Sequence, residues 1–342
     1  MRIIISTHFF FFFLCFCLKA QYLHTPTQIE TIKKESTIDY QLDSVVPSLA
    51  ETPAKIISFF YETVVFSDTS LSNLITSKLS KKELKFLKKG DLFYRDKKYK
   101  EAITQYQKSE KLSQHPYVMA RIAFSFQQSD HHQDAITVYT KLLTTDISNA
   151  FIYLQLANCY HQQEEYKMAS RQVTLAHLFN RNNTAYLDTL SKIYKSQSWK
   201  FRALDFNPIY EIKSTDMQVQ IRAAAEPWIA YASVKAIWAY EPGYLEKMKY
   251  LSSEDSRIIE EKEALFNALV VYEKLEAPAK IDFPGLYTLS HALPEKRVND
   301  FIMYEISLRE HPEITAQLSE ERLEQLIDYV YTYRVKAMEV SQ

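Results

Sequence analysis

Glycine is nearly missing from this chain: only Gly90, Gly243 and Gly285 occur in 342 residues. Phosphate-binding loops need several glycines close together so that the backbone can approach an anion, which excludes the common nucleotide-binding motifs. The Gly-x-Ser-x-Gly elbow and the His-Glu-x-x-His zinc helix are absent as well. Tight hairpin turns also favour glycine, so the shortage points to an all-helical chain with few sharp turns. Charge of one sign is lacking too. With 41 basic and 42 acidic residues the formal net charge is −1, which does not point to nucleic acid or an anionic membrane. Cysteine is confined to Cys15, Cys17 and Cys159. The apolar run from Phe9 to Leu18 is too short to span a bilayer comfortably, and Lys19 closes it.

That run has another reading. Arg2 supplies a positive start, and Leu18-Lys19-Ala20 has the form of a cleavage site before Gln21, so residues 1–20 are expected to be a secretory signal peptide, with an uncleaved anchor as the rival reading. Leu14 and Phe16 precede the first two cysteines, where a lipoprotein signal would require a small residue. Cleavage leaves Cys159 alone, unable to form an internal bridge and expected to be a buried small hydrophobe. Export without bridges favours the periplasm or outer-membrane periphery of a Gram-negative bacterium.

What is present is a period. Ala102, Ala135, Ala169 and Ala203 stand 33, 34 and 34 residues apart. Twelve residues before them lie Gly90, Ala123, Ala157 and Ser191; nine before them lie Phe93, Phe126, Tyr160 and Tyr194. Tyr99, His132 and Tyr166 come three before the first three alanines, and Tyr106, Tyr139 and Val173 four after. A fixed period of this length means stacked helical hairpins. Small residues admit close helix packing, here Gly90 against Ala102 and its equivalents, and aromatics fill the gaps between hairpins. The pattern resembles the tetratricopeptide repeat family over about residues 83–207. The fourth repeat departs from it, with Lys200 at the bridging aromatic position and Asn207-Pro208 where a helix should continue.

The expected architecture is an all-α, tetratricopeptide-like solenoid of three to four hairpins (80–214) followed by a C-terminal helical domain (215–342). Residues 21–52 are polar and read as a flexible tether, and 53–79 as a short helical segment. Ser80-Lys81-Lys82-Glu83 has capping-box spacing, and Ser319 caps a closing helix with an apolar stripe of Leu323, Leu326, Ile327, Val330 and Val335.

Candidates for chemistry are few. Lys235 is the only charge between Pro227 and Tyr240, on a helix with Trp228 and Trp238, and a buried lysine can serve as base or nucleophile. His161 with Glu164 and Glu165, joined by His131 or His132, has spacing that recurs by chance, so no metal and no cofactor is expected. Ten basic residues lie between Lys78 and Lys100, while the far end is acidic from Glu310 to Asp328.

In the family, the first helix of each hairpin lines a concave channel that grips an extended peptide or a partner's helix. The resemblance places Lys88, Asp91, Tyr94 and Arg95 on that face in the first repeat, then Arg121, Phe124, Gln127 and Gln128. The third repeat supplies Gln155, Asn158, His161 and Gln162, and the fourth Asp188, Lys192 and Lys195. The expected function is a non-catalytic, exported scaffold binding a protein or peptide of unknown identity, with no nucleic acid and no transmembrane span after cleavage. An envelope carbohydrate-binding protein, or an enzyme with its site in the C-terminal domain, are the alternatives.

Overall fold

A computed structural model of the chain describes residues 23–43, 55–57, 79–202, 206–215, 217–248 and 253–338. The expected signal segment and nearly all of 53–79 lie outside the described residues. The chain divides into two compact units, 1–53 with 203–307 and 54–202 with 308–342.

The first described elements are a helix, α1 (Pro26–Glu35), and a strand, β1 (Asp39–Asp43). Thr25 and Gln28 form a capping box for α1, and Ile29 is buried. This part of the expected tether is therefore ordered. The reason is a partner some 180 residues away, which local periodicity cannot reveal: β1 pairs in parallel with a strand at Gln218–Ala223.

Next comes the stack. Its helices are α2 (Lys81–Arg95), α3 (Tyr99–Glu110), α4 (Pro116–Gln128), α5 (His132–Leu143), α6 (Ala150–Gln162), α7 (Tyr166–Phe179) and α8 (Thr184–Lys195). The expected capping box opens α2: Glu83 N donates to Ser80 Oγ (3.3 Å) and Ser80 N to Glu83 Oε2 (2.7 Å). The Ser113 hydroxyl also donates to Glu83, and this bond with those of Ser80 holds the carboxyl below the usual glutamate range. Ala102, Ala135, Ala169, Ala123 and Ala157 are fully buried between their helices, as the period requires. Gly90 differs in detail. The atoms nearest to its missing Cβ belong to the ring of Tyr106, so glycine here makes room for that ring rather than for Ala102.

The turns inside the hairpins explain how so little glycine suffices. Lys97, Asp130, Glu164 and Ser198 lie five residues before each repeat alanine, and all take left-handed angles with φ of 59–60°. Lys98 N, His131 N and Glu165 N then donate to the carbonyls of Phe93, Phe126 and Tyr160 (2.8, 2.9 and 2.9 Å), closing the first helix of each hairpin. A side chain in this conformation costs roughly 1–2 kcal/mol that glycine avoids. Part of that gain is lost to glycine's freedom when unfolded. Replacing exposed Glu164 by glycine is therefore expected to stabilise the chain by about 0.5–1 kcal/mol, read as a higher urea midpoint.

Among the described residues the fourth repeat has no second helix of its own. After α8 the chain enters a strand, β2 (Trp199–Phe201). Strands β3 (Tyr210–Ser214) and β4 (Gln218–Ala223) follow, then helices α9 (Glu226–Tyr240), α10 (Pro242–Met248), α11 (Ser253–Glu273) and α12 (Pro284–Ala292). The last elements are α13 (Glu320–Arg334) and β5 (Val335–Ala337). β5 pairs antiparallel with β2, and Arg202 N donates to Arg334 O (2.7 Å). α13 packs on α7, and its Tyr331 ring lies 6.2 Å from Tyr194 and 5.9 Å from Trp199. The chain's end thus supplies the cover that Pro208 denies the fourth repeat. Ser191, expected to face a second helix, is exposed, because a strand stands where that helix would be. Leu323, Leu326, Ile327 and Val330 are buried in α13, while Val335 falls in β5 and is half-buried.

The other unit is a helical pair beside a small sheet of order β1-β4-β3. α9 packs along α11, and its Ala232 and Ala236 bury Val219 and Ile221 of β4. The boundary expected near Thr215 falls in the β3–β4 turn, where Thr215 N donates to Gln218 O (2.9 Å). The closing helix belongs with the repeats rather than with a C-terminal domain. The helical class holds, with two small sheets added to it.

Candidate functional site

The face expected to bind a partner runs along α2, α4, α6 and α8. Each of these helices begins behind a side-chain cap, Ser80, His115, Asn149 or Asn183, so the fifteen candidate residues sit on regular helix rather than on loops. Rigid elements of this kind hold side chains more precisely than loops do.

Polar bonds join the first three helices across the face. Arg121 Nε donates to the Tyr117 hydroxyl (2.9 Å) and lies 3.5 Å from Asp91 Oδ1. The Tyr106 hydroxyl donates to the same Asp91 oxygen (2.7 Å). The Arg121 guanidinium also covers the rings of Tyr94 and Tyr117, at 5.8 and 5.4 Å. Between α4 and α6, Gln127 Nε2 donates to Gln155 Oε1 (3.2 Å) while Tyr139 donates to Gln127 Oε1 (2.7 Å). Tyr106 and Tyr139 occupy the same position of successive repeats, and each reaches through from the second helix to hold a polar group on the first.

Burial sets the electrostatics of this row. It raises the Asp91 carboxyl above the usual aspartate range, and the Arg121 charge and Tyr106 hydroxyl offset this only in part. Burial likewise pushes the Tyr117 phenol up to about 12. Arg121 is therefore a cation already neutralised and stacked, not one free to receive a ligand carboxylate.

The candidates separate by exposure. Lys88, Arg95, Gln128, Gln162, Asp188, Lys192 and Lys195 are exposed, and Asp91, Tyr94, Arg121, Gln127, Asn158 and His161 half-buried. Phe124 must be removed from the face. It is 4% exposed and packs its ring 5.6 Å from both Tyr139 and Phe151, so it belongs to the core between hairpins. Gln155 is also buried, spent on Gln127. The resemblance marked both, because position on a repeat helix cannot distinguish the rim of a packed seam from an open face. Asn158 and His161 remain on it; the buried Nε2 edge of His161 has no hydrogen-bond partner.

Elsewhere the chemical candidates dissolve into packing. Lys235 Nζ lies 2.8 Å from Glu260 and 3.0 Å from Glu261. Burial disfavours its ammonium, but the two carboxylates outweigh burial and raise the pKa above the ordinary lysine value, so the amine is held as a paired ammonium. Trp228 and Trp238 are core residues, 7% and 5% exposed, and cannot offer a stacking surface to a sugar. Cys159 is buried, and burial pushes its thiol up to about 12. Among the described residues no three His, Cys, Asp or Glu side chains converge to hold a metal ion. His131 Nδ1 meets the Ser129 carbonyl (2.7 Å), and His132 lies 3.7 Å from Asp130.

Paired antiparallel helices repeat with one turn geometry and one set of buried alanines. The repeats have the hairpin geometry that a tetratricopeptide-like period predicts. Among solved structures the chain is similar to an Arabidopsis OM64 TPR domain, at 21% identity and TM-score 0.32, covering 34% of this chain and 96% of that one. It is similar also to the first TPR of Spaghetti (RPAP3) bound to an HSP90 peptide, at 19% identity and TM-score 0.32, covering 34% and 94%. A third likeness, to a CopN-Scc3 complex, has 15% identity and TM-score 0.31, covering 51% and 99%. No protein-family model and no curated protein sequence matches the chain.

Proposed function

We propose that this chain is an exported, non-catalytic scaffold that holds an extended peptide or a partner's helix along the face of α2, α4, α6 and α8. The observation that carries the reading is the division of labour on that face. Its inner polar groups Asp91, Arg121 and Gln127 are held by Tyr106, Tyr117 and Tyr139, which fixes the helices against one another. Its outer amides and charges, Gln128, Asn158, Gln162, Lys192 and Lys195, remain accessible. Amides at fixed spacing can pair with a peptide main chain, and the lysines can orient it. Residues 1–20 would carry the chain to a Gram-negative periplasm; among the described residues no helix is long and apolar enough to cross a membrane.

A displayed random-peptide library selected on the chain from Gln21 onward tests this. Selected peptides are expected to lose at least tenfold in affinity with Asn158→Ala plus Lys192→Glu. They should be indifferent to Lys82→Glu, which lies on the opposite side of α2. Selection of no peptide, or equal binding by the face variant, would remove the groove from the reading. Amino-terminal sequencing of the secreted product tests the export half.

A further inference from the structure

Between α7 and α8 stand Asn180 and Asn182, and both grip a distant piece of backbone. Ile57 N donates to Asn180 Oδ1 (3.2 Å), and Asn180 Nδ2 donates to Ile57 O (2.8 Å). Asn182 Nδ2 donates to Lys55 O (2.9 Å) and also to Arg309 O (2.8 Å). All of these residues belong to the unit that holds the repeats. One carboxamide thus meets both main-chain groups of a single residue, and a second meets the carbonyl two residues before it. In an extended chain those three groups point to the same side. Asn180 and Asn182, themselves two apart, stand where a neighbouring strand would stand.

The grip is on main chain and largely ignores side chains. Ile56 is 53% exposed, Ile57 is half-buried, and Lys55 reaches only the surface carboxylate of Glu313 (2.9 Å). Among the described residues, residues 55–57 make no other hydrogen bond or ion pair. Asn180, by contrast, is fully buried, and the main chain of Ile57 is the one partner of its side chain among the described residues. A buried carboxamide without a partner is costly, so this ledge is built to be filled. What fills it is held by a few bonds at or near the surface, which the main chain of another segment can replace.

We infer that Asn180 and Asn182 form a ledge that binds the main chain of an extended peptide, and that residues 55–57 occupy it in cis. The partner is a peptide with a basic residue two positions before the doubly bonded one, to meet Glu313. It docks by displacing residues 55–57, as an added strand pairs through its main chain. The ledge uses none of the residues of the face along α2, α4, α6 and α8, so the two readings fail separately.

The probe is a fluorescein-labelled Ala-Ala-Lys-Ile-Ile-Ala-Ala peptide, titrated by fluorescence anisotropy against the chain from Gln21 onward. Ile57→Pro removes the N–H that the cis segment donates, and Lys55→Glu removes its attraction to Glu313. The chain carrying both changes is expected to bind the probe roughly tenfold more tightly than wild type. Methylating the main-chain nitrogen of the probe's second isoleucine should cost roughly tenfold, whereas replacing its first isoleucine by alanine should cost less than about twofold. Adding Asn180→Ala should lose roughly tenfold as well. Should that variant fail to fold by circular dichroism, the methylated probe decides, because it leaves the ledge intact. Should the doubly changed chain fail to fold, Lys55→Glu alone is expected to give the same ordering with a smaller gain. Asn158→Ala plus Lys192→Glu should leave probe binding unchanged. No binding by a folded chain whose cis segment is released, or equal binding by wild type, would overturn the inference. So would equal binding of the methylated probe, or loss of binding in the Asn158→Ala plus Lys192→Glu variant.

Discussion

Replacing Glu263 by alanine is expected to destabilise the α9–α11 unit by about 3–5 kcal/mol, the range for removing one partner of a buried, hydrogen-bonded charge. The carboxylate side chain is 2% exposed on α11. It accepts from Trp238 Nε1 (2.5 Å), His24 N (2.7 Å) and His24 Nδ1 (2.8 Å). Asn267, one turn further along α11, donates its amide to the His24 carbonyl (2.9 Å), and Tyr244 reaches the same imidazole (2.6 Å). Alanine would strand three donors, each worth about 1–3 kcal/mol when left unmet in a buried site. Glu263→Gln retains an acceptor and should cost less than half as much. Urea unfolding followed by tryptophan fluorescence reads the effect, since Trp238 is itself a ligand of the carboxylate. Limited proteolysis should show earlier cleavage near residues 23–43, which these bonds pin. A loss under 1 kcal/mol for alanine would mean that water replaces the carboxylate and the segment is not held this way.

Gly90→Val should be the most damaging change in the first repeat. A Cβ at this position would lie 2.4 Å from Cε1 and 2.6 Å from Cδ1 of Tyr106. That ring is fully buried, and its hydroxyl is tied to Asp91, so it cannot swing aside without breaking the bond that supports Arg121. Gly90→Ala gains about 1 kcal/mol in helix propensity but suffers overpacking of roughly 1–3 kcal/mol, for a small net loss. Valine forfeits most of the propensity gain and adds two methyl groups, so a loss of about 3 kcal/mol or more is expected. Tyr106→Leu in the same chain should recover a large part of it, because the clash needs both residues. A double-mutant cycle by chemical denaturation measures that coupling directly. Additive losses would show that Gly90 is required for some reason other than the tyrosine ring.

The repeats were legible because their packing is local. Ala102 meets Gly90's helix twelve residues away, and each hairpin restates the rule, so the period averages out individual exceptions such as His132. The turns were legible in place but not in conformation, since Lys97, Asp130, Glu164 and Ser198 share a backbone angle and no side-chain chemistry. The sheet was hidden by distance. Gln218-Val219-Gln220-Ile221 alternates as a strand should, yet β4 is completed by β1 from residues 39–43. Its turn at Thr215 contains no glycine to announce it. The candidate face was half legible. Gln128 and Lys192 are exposed and Asn158 half-buried, but only contacts with Phe151 and Tyr139 reveal Phe124 as interior. Neutralisation of Arg121 was equally invisible, because its partners come from two helices, α2 and α4.

The repair of the fourth repeat has a consequence for how the chain is made. Tyr194 and Trp199 acquire their cover from Tyr331, and β2 gets its only described neighbour from Val335–Ala337, more than 130 positions later. A ribosome that has issued everything up to the third hairpin has therefore produced a stack with one raw end, and that end stays raw until residues 331–337 have been issued. Maturation waits on that segment: a polypeptide cut before Tyr331 would lose β5 and the seal on its repeats together.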